Sequence, residues 1–178
     1  MRKVILYIAA SIDGFIAREN GEIDWLENPN YHIEGESFGY DEFYDSIDTT
    51  LMGNQTYRQV LGFDVPFPYP DKTNYVFSRS KSGHDEHVQF INSDIPDFVA
   101  ALKKEEGRDI WLVGGSQING PLLSHGLIDK IILTLIPVTL GTGIPLFSGS
   151  GQIDNHFRLE DSKTYKNGFV QLTYNKKG

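Results

Sequence analysis

The sequence contains no cysteine, which excludes a disulfide framework, a cysteine-ligated zinc or iron–sulfur site and a cysteine nucleophile. Basic residues are also scarce. There are 16 Lys and Arg against 24 Asp and Glu, and the net charge of −8 argues against nonspecific nucleic-acid binding. No apolar run approaches the roughly 20 residues that span a bilayer. His84 and His87 have no evident third partner, so we expect no metal site. These absences predict a cytoplasmic protein that binds neither nucleic acid nor membrane.

Hydrophobic residues make up 39% of the 178 residues, enough for one core in a single domain covering 1–178. Apolar periodicity alternates between strand and helix, which predicts an α/β fold with a mostly parallel central sheet. The last two strands follow each other without a helix and should pair antiparallel at one edge. The predicted strands cover 4–10, 49–52, 74–78, 88–91, 109–113, 129–137, 157–162 and 168–175. The predicted helices cover 40–47, 56–61 (with Asn54 as N-cap), 95–104 (with Asp94 as N-cap) and 116–125, and 24–39 is a loop.

Two predicted strands run directly into glycine and then into a helix. One is IWLVGGSQI, with Gly114 and Gly115 before the helix, and the other is LMGNQTYR, with Gly53 before it. Glycine lets a ligand approach the backbone closely, and the free N–H groups at a helix start favour anions such as a pyrophosphate. The alternatives are a tight strand-to-helix turn in the first motif and helix capping by Asn54 or Thr56 in the second.

Two further strand ends suit a nucleotide. NYVFSRSK ends a strand with Ser78, Arg79, Ser80 and Lys81, a local positive cluster that could clamp a phosphate in this acidic chain. A solvated strand end explains the same cluster equally well. In IAASIDGFIA, small residues at the end of the first strand would let a flat ring lie against the backbone, or would allow close packing under a helix. Ligands of such sheets bind beyond the carboxyl ends of the strands, where all four motifs should lie.

Five stretches occur in an order that resembles a known superfamily: IAASIDGFIA, LMGNQTYRQV, NYVFSRS, IWLVGGSQI and KIILTLIPVTLGTGIPLF. The chain resembles the dihydrofolate reductase superfamily, and within it the branch that includes the C-terminal reductase domain of the bifunctional riboflavin-biosynthesis protein. The stretches extend over nearly the whole chain. The resemblance implies a dihydrofolate reductase-like three-layer α/β/α fold, with a mostly parallel central sheet and an antiparallel C-terminal edge.

The resemblance also implies an NADPH-dependent reductase. The backbone of Ala9 would meet the nicotinamide, Ile16 would pack on its ring, and Trp25 would lie in a mobile loop beside it. Thr134 matches a strand hydroxyl that supports the pterin in dihydrofolate reductases. The residues assigned to the pyrophosphate, the adenosine side and the 2′-phosphate are Gly53, Asn54, Gln55, Thr56, Ser78, Arg79, Gly114, Gly115, Ser116 and Gln117.

In dihydrofolate reductases an acidic residue on the first helix holds the pterin and helps to protonate it. The corresponding place falls at Gly39 or Tyr40 in this sequence, so Asp41 is the nearest carboxylate and the predicted proton donor. Asp13 and water are the alternatives, and Asp41 also fits the favourable charge at a helix N-terminus. The residues expected along the substrate, under a lid formed by 18–39, are Trp25, Tyr40 and Tyr44.

The expected reaction is hydride transfer from NADPH to a pteridine- or pyrimidine-type molecule, of the dihydrofolate reductase type or the 5-amino-6-(5-phosphoribosylamino)uracil reductase type. A phosphoribosyl substrate needs a second basic cluster, and the sequence has no obvious one near the lid. The alternative is a protein of the same fold that binds a nucleotide without turnover. The branch also implies a homodimer, with contacts from the apolar strand 131–137 and the loop 141–147.

Overall fold

A computed structural model describes residues 1–149, 151 and 154–177. The strands are β1 (Val4–Ser11), β2 (Phe15–Ala17), β3 (Ile47–Gly53), β4 (Thr73–Phe77), β5 (Gly83–His84), β6 (Gln89–Ile91), β7 (Asp109–Gly114), β8 (Lys130–Ile136), β9 (Ile144–Pro145), β10 (Phe157–Thr164) and β11 (Val170–Lys176). The helices are α1 (Tyr40–Ser46), α2 (Asn54–Leu61), α3 (Ile95–Leu102) and α4 (Ser116–Ser124). Within the described part of the chain, no helix has both the length and the apolar character needed to cross a bilayer.

The main sheet has nine strands in the order β10-β11-β8-β1-β7-β3-β4-β6-β5. The six strands from β8 to β6 are parallel, whereas β11 and β10 pair antiparallel on one side and β5 pairs antiparallel on the other. This confirms the mostly parallel sheet with an antiparallel C-terminal edge. β2 and β9 form a separate antiparallel pair. The sequence reading missed β2, β5 and β9, which span only two or three residues each and show no periodicity.

Alternation along β1 sends successive side chains to opposite faces of the sheet. Val4 and Leu6 pack in a core with residues of α3 and α4, while Ile5 packs in a second core with residues of α1 and α2. Helices therefore cover both faces, and the predicted three-layer α/β/α fold is confirmed. β8 lies between β1 and β11, so the strand expected to contact a second copy has no free edge.

The two predicted N-caps have different outcomes. Asp94 caps α3: its Oδ1 accepts a hydrogen bond from the backbone N–H of Asp97 at 3.0 Å, and Pro96 lies in the first turn. The prediction that Asn54 caps the next helix is wrong. α2 begins at Asn54 itself and Gly53 is its N-cap, because β3 passes into the helix without an intervening residue. The start of α2 therefore has no side-chain cap.

Candidate active site

A cavity of about 510 Å³ lies beside the carboxyl-terminal halves of β1 and β8. Tyr7, Ile8 and Ala9 of β1 and Thr134 and Ile136 of β8 line it. Ala9 is in register with Thr134, so the two predicted residues are neighbours on adjacent strands. This position agrees with the expectation that ligands of parallel sheets bind beyond the carboxyl ends of the strands.

The predicted lid loop contributes eight of the fifteen residues that line the cavity: Leu26, Glu27, Asn28, Pro29, Tyr31, His32, Ser37 and Phe38. Two short 3-10 turns, Asp24–Leu26 and Pro29–Tyr31, shape this loop. Tyr40 at the start of α1 and Phe169 before β11 complete the lining. Most of the cavity wall is therefore aromatic or aliphatic.

A buried amide connects the cavity floor to the loop. Nε2 of Gln171 donates to Oγ1 of Thr134 at 3.1 Å and to the carbonyl of Phe38 at 3.0 Å. Gln171 lies opposite Thr134 on β11, and both are buried. The Phe38 carbonyl also accepts the hydroxyl of Tyr7 at 3.1 Å, and Phe38 adopts a left-handed conformation with φ of 55°. These bonds hold the loop against the sheet.

Burial raises the pKa of Tyr7 to about 12, because the phenolate would lose its hydration in this aromatic environment. Tyr7 stacks on Phe43 with ring centroids 4.5 Å apart, and Trp111 approaches it edge-on at 6.3 Å. At neutral pH the Tyr7 hydroxyl is therefore a neutral hydrogen-bond donor. Its proton is directed to the Phe38 carbonyl, so it holds the loop against the sheet.

The remaining predicted substrate-side residues lie outside the cavity lining. Trp25 is 6% exposed and packs with Ile136 and Phe169, and its indole N–H has no partner among the described residues. Asp41 is exposed in the first turn of α1. The hydroxyl of Tyr44 hydrogen-bonds Asp71, with the Lys72 ammonium 4.0 Å above its ring, so Tyr44 faces the loop before β4. Ala9, Tyr40 and Thr134 are the predicted residues that the structure brings to the cavity.

Asp13, the alternative proton donor, forms hydrogen bonds that connect the turn after β1 with the segment after β8. Its carboxylate accepts the hydroxyl of Ser11 at 2.6 Å and the backbone N–H groups of Leu140 and Gly141 at 3.1 and 2.8 Å. The Ser11 hydroxyl, followed by these N–H groups, lowers its pKa. Asp13 does not line the cavity, and its bonds join the β1–β2 turn to the segment after β8.

The glycine motifs meet on the neighbouring strands β7 and β3, where Gly114 pairs with Met52. A Cβ at Gly115 would lie 3.5 Å from Oγ1 of Thr56 and 3.8 Å from Cδ1 of Ile16. Three of the residues predicted to contact the cofactor thus surround one point. Gly53 has a packing role as well, because a Cβ there would lie 3.2 Å from Cδ1 of Ile118.

The starts of α2 and α4 carry polar atoms that lack partners. Oδ1 of Asn54 and Oγ of Ser116 are buried and make no hydrogen bond with the described residues. Gln55 and Gln117, the next residues along, are exposed. A dinucleotide offers phosphate oxygens and ribose hydroxyls, so unpartnered polar groups beside glycine fit such a ligand.

Ser78 and Arg79 follow β4, on the far side of β3 from β7. The Ser78 hydroxyl accepts the backbone N–H groups of Ser80 and Lys81 at 3.4 and 3.1 Å, which fixes the turn. Arg79 is exposed and forms no ion pair within the described residues. Ser78 therefore shapes the turn that presents the Arg79 guanidinium to solvent.

The model of the RibD C-terminal domain family matches residues 2–171. The chain belongs to the RibD C-terminal domain family. This membership supports the resemblance that the five sequence motifs indicated, and a reductase-type fold.

The relatives of this RibD C-terminal domain extend over its whole length. The Bacillus subtilis (strain 168) protein YwjB, named as uncharacterised, is 44% identical over 174 residues, 97% of each chain. A protein of Shewanella sp. PV-4, provisionally named as a riboflavin biosynthesis protein, has a crystal structure that superposes with a TM-score of 0.84 at 30% identity, covering 99% of both chains. Dihydrofolate reductase of Enterococcus faecalis superposes with a TM-score of 0.63 at 18% identity, covering 99% of this chain and 97% of that one.

Sequence reasoning missed two residues that shape the cavity of this RibD C-terminal domain, Tyr7 and Gln171. Tyr7 could have been found, because it is two residues before Ala9 on a strand and must share its face. Gln171 gave only a weak signal, a polar residue within the apolar strand 168–175. Its pairing with Thr134 depends on the register of β11 against β8, which local sequence does not fix.

Proposed function

We propose that the protein is an NADPH-dependent reductase that transfers hydride to a pteridine- or pyrimidine-type small molecule. The observation that carries this proposal is the position of Ala9. Ala9 lines the cavity, and its strand lies directly between β8, which carries Thr134, and β7, which ends in Gly114. A substrate in the cavity and a nucleotide along the glycine motifs would therefore meet at the end of β1.

When bound, NADPH would supply the hydride. Gly53, Thr56, Gly115 and Ile16 would hold it, and Arg79 is an exposed cation that would meet its 2′-phosphate. The Enterococcus faecalis dihydrofolate reductase, which shares the fold, is complexed with NADP(H), and this supports the cofactor class. Thr134 and Tyr40 would orient the acceptor ring against Ala9.

The proton that completes reduction of a carbon–nitrogen double bond must reach the ring nitrogen. The carboxylate among the described lining residues is Glu27, which is exposed, as is His32 nearby in the lining. We place the proton source at this open side of the cavity, as water beside Glu27 and His32. Asp41, the original candidate, lies outside the lining.

Fluorescence and turnover together test the proposal. Trp25 packs in the cluster that includes Ala9. Bound nicotinamide should therefore quench the fluorescence of Trp25 or accept energy transferred from it. We expect NADPH to bind more tightly than NADH. We also expect 7,8-dihydropterins or aminouracils to cause oxidation of NADPH that the protein accelerates. If neither nucleotide binds, the proposed function is wrong.

A non-catalytic homodimer that binds the nucleotide is the second candidate. It is favoured by the lack of a buried carboxylate among the described residues that line the cavity. Tight NADPH binding without oxidation by any pteridine, pyrimidine or quinone would support it. For the homodimer, β10 offers a free edge on the C-terminal side of the sheet, and light scattering should give the mass of two chains.

A further inference from the structure

The cavity offers no cation to an acidic substrate. None of the described residues that line it is Lys or Arg, and its carboxylate and its imidazole, Glu27 and His32, are exposed. The lining is otherwise aliphatic, aromatic or neutral and polar. A phosphate or carboxylate placed inside would lose its hydration without gaining an ionic partner, which is costly.

A cationic ring deep in the cavity would likewise lack a buried ionic partner among the described residues. The aromatic lining residues are Tyr7, Tyr31, Phe38, Tyr40 and Phe169. These rings suit a flat apolar or heteroaromatic group. No buried carboxylate among the described residues of the lining could pair with a protonated ring nitrogen. A neutral planar ring meets both conditions.

The direction of one hydrogen bond defines what such a ring must present. The Phe38 carbonyl can only accept, so the Gln171 amide must turn its Nε2 toward it. The same Nε2 donates its second proton to Oγ1 of Thr134. Because the Thr134 oxygen accepts this bond, its own proton is free to point into the cavity. Thr134 therefore retains a proton that it can donate to a ligand in the cavity it lines.

We propose that the cavity binds an uncharged, planar heteroaromatic ring that presents a hydrogen-bond acceptor to Thr134 and carries no phosphate or carboxylate inside the cavity. This inference rests on the proposed function and narrows its substrate class. Gln171 is a positioning residue in it, because it sets the direction of the Thr134 hydroxyl without lining the cavity.

A matched pair of probes tests the charge requirement. 6-Hydroxymethylpterin and pterin-6-carboxylate share one ring, and the second carries a carboxylate bonded directly to that ring, so the charge must enter the cavity with it. On the full chain saturated with NADP⁺, calorimetry should give a Kd at least about ten-fold lower for the neutral compound, a difference of about 1.4 kcal/mol. Equal or tighter binding of the carboxylate would overturn the inference, as would no binding of the neutral compound.

The nucleotide is titrated first and separately. Failure of NADP⁺ and NADPH to bind would contradict the proposed function, and the same probe pair would then be titrated on the free protein to test the cavity. The two ideas can therefore fail independently.

Variants of Thr134 and Gln171 test the donor. Thr134→Val keeps the shape and should raise the Kd of 6-hydroxymethylpterin about ten-fold while the Kd of NADP⁺ is unchanged. Thr134→Ser should restore most of the affinity. In Gln171→Glu the new carboxylate would accept the Thr134 proton, so the Kd of 6-hydroxymethylpterin should rise to a similar extent. The double variant Thr134→Val/Gln171→Glu should bind it no more weakly than Thr134→Val alone. Unchanged binding in Thr134→Val would show that the ring presents no acceptor there.

Discussion

The cavity beside β1 and β8 and the glycine-rich ends of β3 and β7 lie at one edge of the same sheet, yet they differ in chemistry. The cavity has an aromatic wall and a hydrogen-bond network in which Tyr7 and Gln171 are paired with the Phe38 carbonyl and Thr134, and the Thr134 proton is left for a ligand. The glycine side has buried polar atoms, at Asn54 and Ser116, that find no partner within the described residues, and an exposed guanidinium at Arg79. One side presents a single hydrogen-bond donor within an aromatic wall, and the other has several polar groups that a ligand would satisfy.

This difference shows how one fold separates two binding tasks. A charged nucleotide needs backbone N–H groups, open space and a cation, which glycine and exposed arginine provide. A neutral ring needs shape and a few oriented donors, which packed aromatics and a fixed amide provide. Mutations on one side should therefore change the affinity for one ligand class and leave the other unchanged.

Gly115→Ala should have the largest effect. The new methyl group would lie in ordinary contact with Thr56 and Ile16, and the backbone φ of −90° accepts alanine, so the fold should persist. Because the methyl fills the space beside the backbone, the NADPH Kd should rise about 100-fold. Fluorescence titration measures this. Gly151→Ala, whose Cβ meets nothing within 4 Å, is the control. Equal weakening of 6-hydroxymethylpterin binding would contradict the separation of the two sides.

Gln171→Leu changes the cavity side and should lower the free energy of unfolding of the protein. It removes both amide donors from a buried position, which should lower the free energy of unfolding by about 1–3 kcal/mol in urea denaturation. The exposed Gln117→Leu should change it by less than about 0.5 kcal/mol. Tyr7 donates to the same Phe38 carbonyl, so Tyr7→Phe and Gln171→Leu should be non-additive. Strict additivity would show that the network does not act as a unit.

Arg79→Ala should weaken NADPH binding about ten-fold and leave NADH binding unchanged, because the exposed guanidinium would meet the 2′-phosphate that NADH lacks. The difference should shrink as salt screens the charge. Arg158→Ala, an exposed arginine on β10, serves as the control. An equal loss for both nucleotides would mean that Arg79 contacts another part of the ligand.

Asp13→Asn should have the smallest effect, and it should depend on pH. The pKa of Asp13 is lowered in the folded protein, so its carboxylate stabilises the fold above the unfolded pKa, and this stabilisation is lost as pH falls through the folded pKa. The variant should therefore melt earlier than the parent at neutral pH and equally at strongly acidic pH. Asp64→Asn, also exposed, is the control. If the variant still melts earlier than the parent at strongly acidic pH, the ionised Asp13 carboxylate is not the cause of the difference.

The sequence predicted the glycine side better than the cavity. Gly53 and Gly114 mark transitions from strand to helix, and such turn chemistry is local, so it is readable without the fold. The helix at 40–47 was also found, as α1, but which of its residues face the cavity depends on packing. Tyr40 lines the cavity and Asp41 does not. Ala9, Thr134 and Gln171 become neighbours only through the registers of three strands that are distant in sequence.

The position of β1 has a consequence for how the protein is made. β1 is synthesised first among the strands, yet both of its partners, β7 and β8, come from the last half of the chain. Until they emerge from the ribosome, its apolar run VILYIAA has no neighbour in the sheet. The central strands therefore cannot assemble progressively during translation, and folding must wait for pairings of high sequence separation, which are slow to form and prone to aggregation.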